Sequence, residues 1–362
     1  MGVKILRVII DIGHPAHVHF FKNTIWNLEK KGHKVMVVSR DKDVVVELLN
    51  AYGIPHTVLS KVKPGKVHLI EEWFIREYKL LLISKKFDPD VLMGILSPTV
   101  AQIAWMLRKK SIIFNDTEHA VLAQKITYPF CDIICTPSCY LKDEGNKQIR
   151  YSGYHELAYL HPSYFTPRPE IPKELGVEVG EPFTILRFIS WGAHHDVGQH
   201  GIENKLALVR ELEKLGKVFI TSEGPLAEEF ERYRIRVASE KIHHLLHYAT
   251  LYVGEGATMA VESAILGTPS IYVSTLAGTM GNFSELQEKY GLLFNYSSSE
   301  DALSKALELL KDPDLKKKWD LKRTALLKDK IDVTGFMIKL IEGLPEKKSG
   351  ISLLSVSDET YA

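Results

Sequence analysis

Residues 253–273 have the sequence VGEGATMAVESAILGTPSIYV, which predicts a strand, a glycine-containing turn, a helix and a second strand. Gly254 and Gly256 permit a tight turn that side chains would obstruct. The first backbone N–H groups of the helix have no partner within it, and they lie at the positive end of the helix dipole. The turn is therefore a candidate site for an anion.

Four consecutive residues of this turn, Gly256, Ala257, Thr258 and Met259, supply the N–H groups that we expect to bind a diphosphate. Glu262 follows about one and a half turns into the predicted helix. Because its carboxylate would repel a phosphate, we expect it to bind ribose hydroxyl groups. The stretch thus predicts a site for a nucleoside diphosphate.

Outside this stretch, strand-like and helix-like segments alternate along most of the 362 residues. The pattern is typical of doubly wound α/β sheets, and the length favours two Rossmann-like domains. Ligands of such sheets bind at the C-terminal strand ends, so the cleft between the domains is the expected site. We predict an N-terminal domain at residues 1–155, a proline-rich linker at 156–172 and a C-terminal domain at 173–334. A closing helix at 335–344 is expected to pack back on the N-terminal domain, and residues 345–362 are expected to form a disordered tail.

The composition excludes several function classes. With 45% apolar and 25% charged residues the chain is typical of folded soluble proteins, and a net charge of +1 gives no field that attracts nucleic acid. From the sequence we expect neither a signal peptide nor a membrane-spanning segment. The three cysteines are odd in number and their spacing fits no common metal site. We therefore expect a cytoplasmic protein without a bound metal.

Two loops of the N-terminal half contain candidate catalytic residues. After the first predicted strand, Gly13 lets a ligand approach the backbone, and His14 or His17 is a candidate general base because imidazole titrates near neutrality. The alternative is a helix cap with packed histidines.

The second loop, residues 115–120, has the sequence NDTEHA. Asp116 can cap the following helix, with Glu118 and His119 in its first turn, but capping does not explain the whole cluster. We expect Asp116, Glu118 and His119 to face the cleft.

Three further segments have weaker patterns. In residues 190–201, Ser190 and Gly192 could form an anion nest and His194 or His195 could pair with phosphate, the alternative being an irregular surface loop. The histidines at 243, 244 and 247 lack the HExxH pattern and are predicted to be surface and packing residues. Residues 73–86 mix aromatic, aliphatic and basic side chains. Peripheral membrane contact is one hypothesis for this helix, and packing against its own sheet is the other.

The motifs resemble those of the GT-B superfamily, which includes nucleotide-sugar glycosyltransferases and non-hydrolysing UDP-N-acetylglucosamine 2-epimerases. Over residues 1–342 the pattern looks like an uncharacterised prokaryotic family within it. The segments that show the resemblance are DIGHPAHVH at 11–19, NDTEHA at 115–120, GYHELAYL at 153–160 and the glycine-flanked helix at 256–269. The resemblance implies two Rossmann-like domains facing across a cleft, an N-terminal one for the acceptor and a C-terminal one for the nucleotide sugar.

The resemblance also implies residue roles. In the transferases a histidine of the first loop lies near the acceptor, which suggests His14 or His17. In the epimerases acidic N-domain residues and a histidine of the first C-domain loop face the sugar, which suggests Glu118 and His194 or His195. The epimerase signature Thr-x-His-Arg-x-Glu-Asn is absent from residues 190–201.

The leading hypothesis is a metal-independent glycosyltransferase with a UDP-type donor, an unknown acceptor and no cofactor. The alternatives are a nucleotide-sugar 2-epimerase and a non-catalytic nucleotide-sugar binding protein.

Overall fold

The computed structural model describes residues 4–63, 65–178, 180–189, 202–222, 225–275 and 278–344. The predicted anion-nest residues Ser190, Gly192, His194 and His195, and the predicted disordered tail, lie outside these ranges. The chain divides into two compact units. The first contains the chain up to Tyr164 and again from Lys330, and the second contains Phe165–Asp329.

The first unit is built on a parallel sheet of seven strands in the order β3-β2-β1-β4-β5-β6-β7. Its strands are β1 (Arg7–Ile12), β2 (Lys34–Asp41), β3 (His56–Lys61), β4 (Val91–Ile95), β5 (Lys110–Phe114), β6 (Ile133–Pro137) and β7 (Gln148–Tyr151). Its helices are α1 (Pro15–Lys30), α2 (Val45–Ala51), α3 (Lys66–Phe87), α4 (Pro98–Leu107), α5 (Val121–Thr127), α6 (Leu157–Leu160) and, at the chain's return, α14 (Val333–Glu342). Central strands such as β1 are buried because helices cover both sheet faces.

The stretch predicted as a linker, residues 156–172, begins inside the first unit. Helix α6 is fully buried there, and the carbonyl of Ala158 accepts hydrogen bonds from Asn23 Nδ2 and Thr334 Oγ1, both at 2.8 Å. Helix α14 packs against α1 and α6. The chain leaves this unit only after Tyr164, because the apolar residues that precede the prolines are part of its core.

The second unit has a parallel sheet of five strands in the order β12-β11-β10-β8-β9. Its strands are β8 (Phe183–Phe188), β9 (Lys217–Ser222), β10 (Leu251–Gly254), β11 (Ser270–Val273) and β12 (Leu293–Tyr296). Its helices are α7 (Glu170–Lys173), α8 (Lys205–Glu213), α9 (Ile242–Tyr248), α10 (Ala257–Leu266), α11 (Gly281–Glu288), α12 (Ser299–Leu310) and α13 (Leu315–Asp329). All five strands are parallel because a helix connects each strand to the next one along the chain.

His247 of α9 makes the stability of the second unit depend on pH. Its Nδ1 donates to the carbonyl of Leu266 at 3.2 Å, and burial lowers the pKa of His247 to about 4. In the unfolded chain histidine titrates near pH 6.5. Between about pH 4 and pH 6.5, therefore, His247 is protonated in the unfolded state and neutral in the folded state. The contribution of His247 is complete above about pH 6.5 and is lost as the pH falls to about 4, a loss on the order of 3 kcal/mol.

We therefore expect His247→Gln, which keeps a donor for the Leu266 carbonyl, to lose less stability between pH 7 and pH 4.5 than the unsubstituted protein. Urea unfolding of both proteins at the two pH values measures the difference. An identical loss in both would show that His247 is not the titrating group.

Candidate functional site

The turn predicted to bind a diphosphate connects β10 to α10 in the second unit. Gly256 is the N-cap of α10 and has no side chain to cap the helix, so among the described residues no side-chain cap satisfies the first N–H groups of this ten-residue helix. Ala257, Thr258 and Met259 are partly exposed, whereas the rest of the helix is buried. The predicted strand, turn, helix and strand are all confirmed, and the N-terminus of α10 lies at the carboxyl edge of the sheet.

Arg187, which the sequence analysis missed, lies beside this turn. It is the fifth residue of β8 and pairs with Gly254 in the neighbouring β10. Its side chain extends past the turn, and its Nη1 donates to Thr221 Oγ1 at 3.0 Å. A methyl group built on Gly256 would lie 2.9 Å from Arg187 Cγ and 3.5 Å from its Nε. The structure thus places a guanidinium group next to the N-terminus of α10.

The two glycines of the turn are required by close packing. A Cβ atom at Gly254 would lie 2.6 Å from Tyr252 Oη and 2.7 Å from Arg187 Cβ. Tyr252 Oη also donates to the carbonyl of Gly256 at 3.1 Å. Arg187 and Tyr252 therefore occupy the space that side chains at 254 and 256 would need, and together they hold the turn in place.

Glu262, predicted to bind ribose, is buried in α10 and is paired with a histidine. His243 Nε2 lies 2.8 Å from Glu262 Oε1, and both side chains are at most 5% exposed. His243 was predicted to be a surface or packing residue; it is buried, and its pairing with Glu262 was not predicted. Its partner lies 19 residues later in another helix, where no local pattern indicates the pairing.

Glu255, between the two glycines, anchors the segment that precedes α8. One carboxylate oxygen accepts the N–H of Ile189 and the other that of Ile202, both at 2.8 Å. Lys205 Nζ lies 3.4 Å from the same carboxylate, and Glu255 as a whole is 2% exposed. These bonds satisfy a buried charge that would otherwise be costly.

In the first unit, the histidines predicted as bases are engaged with the backbone at the start of α1. His14 is the N-cap of α1, and its Nδ1 accepts the N–H of Ala16 at 3.2 Å. His17 Nδ1 accepts the N–H of Gly13 at 3.3 Å. Burial, with the nearby His14 and His155, lowers the pKa of His17 well below its ordinary value, so His17 is neutral at pH 7. In this arrangement its proton is on Nε2.

Asp116 does not cap a helix, because α5 begins only at Val121. Its Oδ2 instead lies 3.2 Å from His155 Nδ1. Burial alone would raise the pKa of Asp116, but the charge and hydrogen bond of His155 hold this pKa below its ordinary value. His155 belongs to the motif GYHELAYL, packs against Phe20 and has a buried Nε2 without a hydrogen-bond partner among the described residues. Asp116 also acts on His17, where it favours the protonated form.

Glu118 and His119 are not in the first turn of α5 as predicted, since that helix starts after both. Glu118 is buried and accepts the N–H of Leu141 at 3.2 Å. Its carbonyl accepts a hydrogen bond from Lys142. His119 is exposed. These contacts of Glu118 stabilise the loop around Leu141, whereas Gly13, His14, His17 and Asp116 lie at the carboxyl edge of the first sheet.

The two Rossmann-like units define a GT-B fold of the α/β class, and solved structures of that fold agree. The Neisseria meningitidis UDP-GlcNAc 2-epimerase bound to UDP-GlcNAc superposes with a TM-score of 0.67 at 12% identity, covering 93% of this chain and 99% of that one. The Streptomyces glycosyltransferase SsfS6, complexed with thymidine diphosphate, superposes with a TM-score of 0.60 at 15% identity, covering 94% and 100%. The predicted fold class is confirmed.

The profile of DUF354, a family described as being of unknown function, matches residues 6–334, and the chain belongs to this family. An uncharacterised protein of Methanocaldococcus jannaschii is 26% identical over 282 residues, which cover 74% of this chain and 81% of the relative. The predicted resemblance to an uncharacterised family with the GT-B fold is therefore confirmed. Among the described residues, no helix has the length and apolar character needed to cross a membrane.

Proposed function

We propose that this protein is a glycosyltransferase that uses a UDP-type nucleotide sugar and needs no metal. The observation that carries the proposal is the guanidinium of Arg187 beside the open N-terminus of α10. Amide N–H groups and an arginine fork are the donors that bind phosphate oxygens best. Structures with the same fold include an enzyme bound to UDP-GlcNAc and a glycosyltransferase bound to thymidine diphosphate, which supports a nucleotide as the ligand.

The chemistry requires the diphosphate to leave with its negative charge stabilised. As the bond between the sugar's anomeric carbon and the diphosphate oxygen breaks, charge develops on that oxygen. The N–H groups of Ala257, Thr258 and Met259, with Arg187, would supply the compensating positive charge in fixed positions. This is the role that a metal ion has in other transferases.

The acceptor hydroxyl must lose a proton, and His14 and His17 stay the proposed bases. The lowered pKa keeps His17 in the neutral form that a base needs, and Asp116 would stabilise the imidazolium that forms. Both histidines use Nδ1 to accept a backbone N–H, so either one must release that bond before Nδ1 can take a proton. Loss of the hydrogen bond between the N–H of Gly13 and His17 would free the loop that contains Gly13, and we expect a substrate to lie against this loop.

One assay tests the reaction. The purified protein is incubated without acceptor with a panel of UDP-, GDP- and dTDP-sugars, and the products are separated by chromatography. Slow release of free nucleotide, lost in His14→Ala or His17→Ala with binding retained, supports transfer. A new epimeric nucleotide sugar would instead establish the epimerase alternative, and tight binding without turnover the binding-protein alternative.

The ribose role of Glu262 predicts a preference for nucleotides that have ribose hydroxyl groups. We expect the protein to bind UDP at least about tenfold more tightly than 2′,3′-dideoxyuridine diphosphate, because hydrogen bonds to a charged group contribute about 1.5–3 kcal/mol. Glu262→Ala should bind both ligands about equally in calorimetry. Glu262→Gln, which can still bond to His243, serves as the folding control. Unchanged discrimination in folded Glu262→Ala would exclude the ribose role.

A further inference from the structure

Helix α3 turns charged side chains toward the protein in its N-terminal half, whereas its C-terminal half buries Leu80 in the core. Toward the protein it presents Glu72, which binds Arg40 through two hydrogen bonds of 2.7 and 2.6 Å and also accepts Ser60 Oγ. One turn later Arg76 donates to both oxygens of Asp11, each at 2.8 Å. A surface helix normally buries its apolar stripe and exposes its charges.

The opposite side of α3 presents large apolar side chains to solvent. The outer stripe consists of Ile70, Phe74, Ile75, Tyr78 and Leu82, which are 57%, 67%, 39%, 64% and 48% exposed, respectively. Four of the five are spaced by four residues, so they form one continuous row along the helix. Exposed apolar rows of this kind mark surfaces that another apolar surface covers.

The charges around the outer stripe favour an anionic surface. Lys63 precedes α3, and Lys85 and Lys86 lie in its last turn, all three exposed. Two exposed acidic side chains are also present: Glu71 lies 3.3 Å from His68, and Asp88, the C-cap of α3, pairs with Lys109. Helix α4, which contacts α3, also exposes Trp105 and Met106.

The size of the outer stripe argues against a second protein copy as the partner. A large side chain has about 150–250 Å² of surface, so five half-exposed ones offer on the order of 500 Å². A stable protein interface uses about 800 Å² on each partner. A single helix ridge with aromatic residues and flanking lysines is instead typical of a segment that lies in the interfacial region of a bilayer.

We propose that the outer stripe of α3 inserts into the surface of a membrane that contains anionic lipids, with Lys63, Lys85 and Lys86 near the headgroups. The apolar side chains would leave water, and the lysines would be attracted by the negative surface potential. The buried ion pairs of Glu72 and Arg76 would hold the helix on the sheet while its outer side is in the membrane. This proposal does not depend on the proposed reaction.

Vesicle sedimentation of the full chain tests the proposal. We expect the protein to sediment with phosphatidylcholine vesicles that contain about one third phosphatidylglycerol, and to bind pure phosphatidylcholine more weakly. Phe74→Glu combined with Tyr78→Glu should weaken binding to the mixed vesicles at least about tenfold. The matched control is Leu321→Glu in the second unit, where the leucine is 66% exposed, and it should bind normally.

Charge reversal separates the contribution of the lysines from that of the apolar side chains. Lys85→Glu with Lys86→Glu should reduce binding to the anionic vesicles, whereas Lys316→Glu with Lys317→Glu on α13 should not. Absence of sedimentation, or equal binding by the Phe74/Tyr78 variant, would overturn the proposal. A dimer seen by light scattering that this variant abolishes, without vesicle binding, would show that a second copy covers the stripe.

Discussion

Arg187→Ala is expected to weaken the binding of UDP by about 10- to 100-fold in titration calorimetry. A hydrogen bond between charged partners contributes about 1.5–3 kcal/mol, and about 1.4 kcal/mol corresponds to a factor of ten in affinity. The guanidinium lies beside Gly256 and is supported by Thr221, so it is positioned before any ligand arrives. Its removal leaves the N–H groups of α10 as the main remaining donors for the diphosphate.

Two variants control this experiment. Arg210→Ala removes an exposed arginine of α8 in the same unit and should leave the affinity unchanged. Arg187→Lys keeps the positive charge but not the planar fork, so we expect an intermediate loss. Thermal unfolding of each variant checks that the turn is intact. UDP affinity that is unaltered in a folded Arg187→Ala protein would remove the main support for the phosphate site.

Arg76→Ala is expected to reduce the free energy of unfolding of the first unit by about 3–5 kcal/mol, the usual cost of leaving one member of a buried ion pair alone. Asp11 is 3% exposed and receives both Arg76 hydrogen bonds and a third from Ser97 Oγ at 2.7 Å. Without Arg76 the carboxylate keeps one of these donors. Urea unfolding at pH 7 measures the change.

The double variant Asp11→Asn with Arg76→Met is the informative comparison. It removes both charges and retains an amide that can bond to Ser97, so it should be less destabilised than Arg76→Ala alone. If the single and double variants lose equal stability, the unpaired charge is not the cause. Lys109→Ala, which breaks an exposed pair with Asp88, should cost less than about 1 kcal/mol.

Local sequence patterns were enough to predict the fold and the position of the phosphate turn. The glycines at 254, 256 and 267 frame β10, α10 and β11, and the segment folds as predicted. Gly267 ends α10 with a φ of 81°, a conformation that favours glycine. Such signals are contained within a few residues, which is why they can be interpreted without tertiary contacts.

The pairings of charged and polar side chains could not be predicted in the same way. Arg187 looks like an ordinary strand residue until the register of β8 against β10 brings it opposite Gly254. Asp116 has the spacing of a helix cap, but its partner His155 comes from a segment 39 residues later. Similarly, α3 has a mixed composition, and only the exposure of each side chain shows that Glu72 and Arg76 face inward.

The carboxylate of Glu255 has a consequence for how this protein tolerates change. It accepts the N–H groups of both Ile189 and Ile202, so one side chain fixes the positions of these two residues relative to each other. Segments of different length could be grafted between them without disturbing the sheet, provided that both amides are kept. Glu255 is flanked by the two turn glycines, so strain from an ill-fitting graft would reach the N-terminus of α10 first. Weakening of the proposed nucleotide binding would then reveal this strain before any loss of folding.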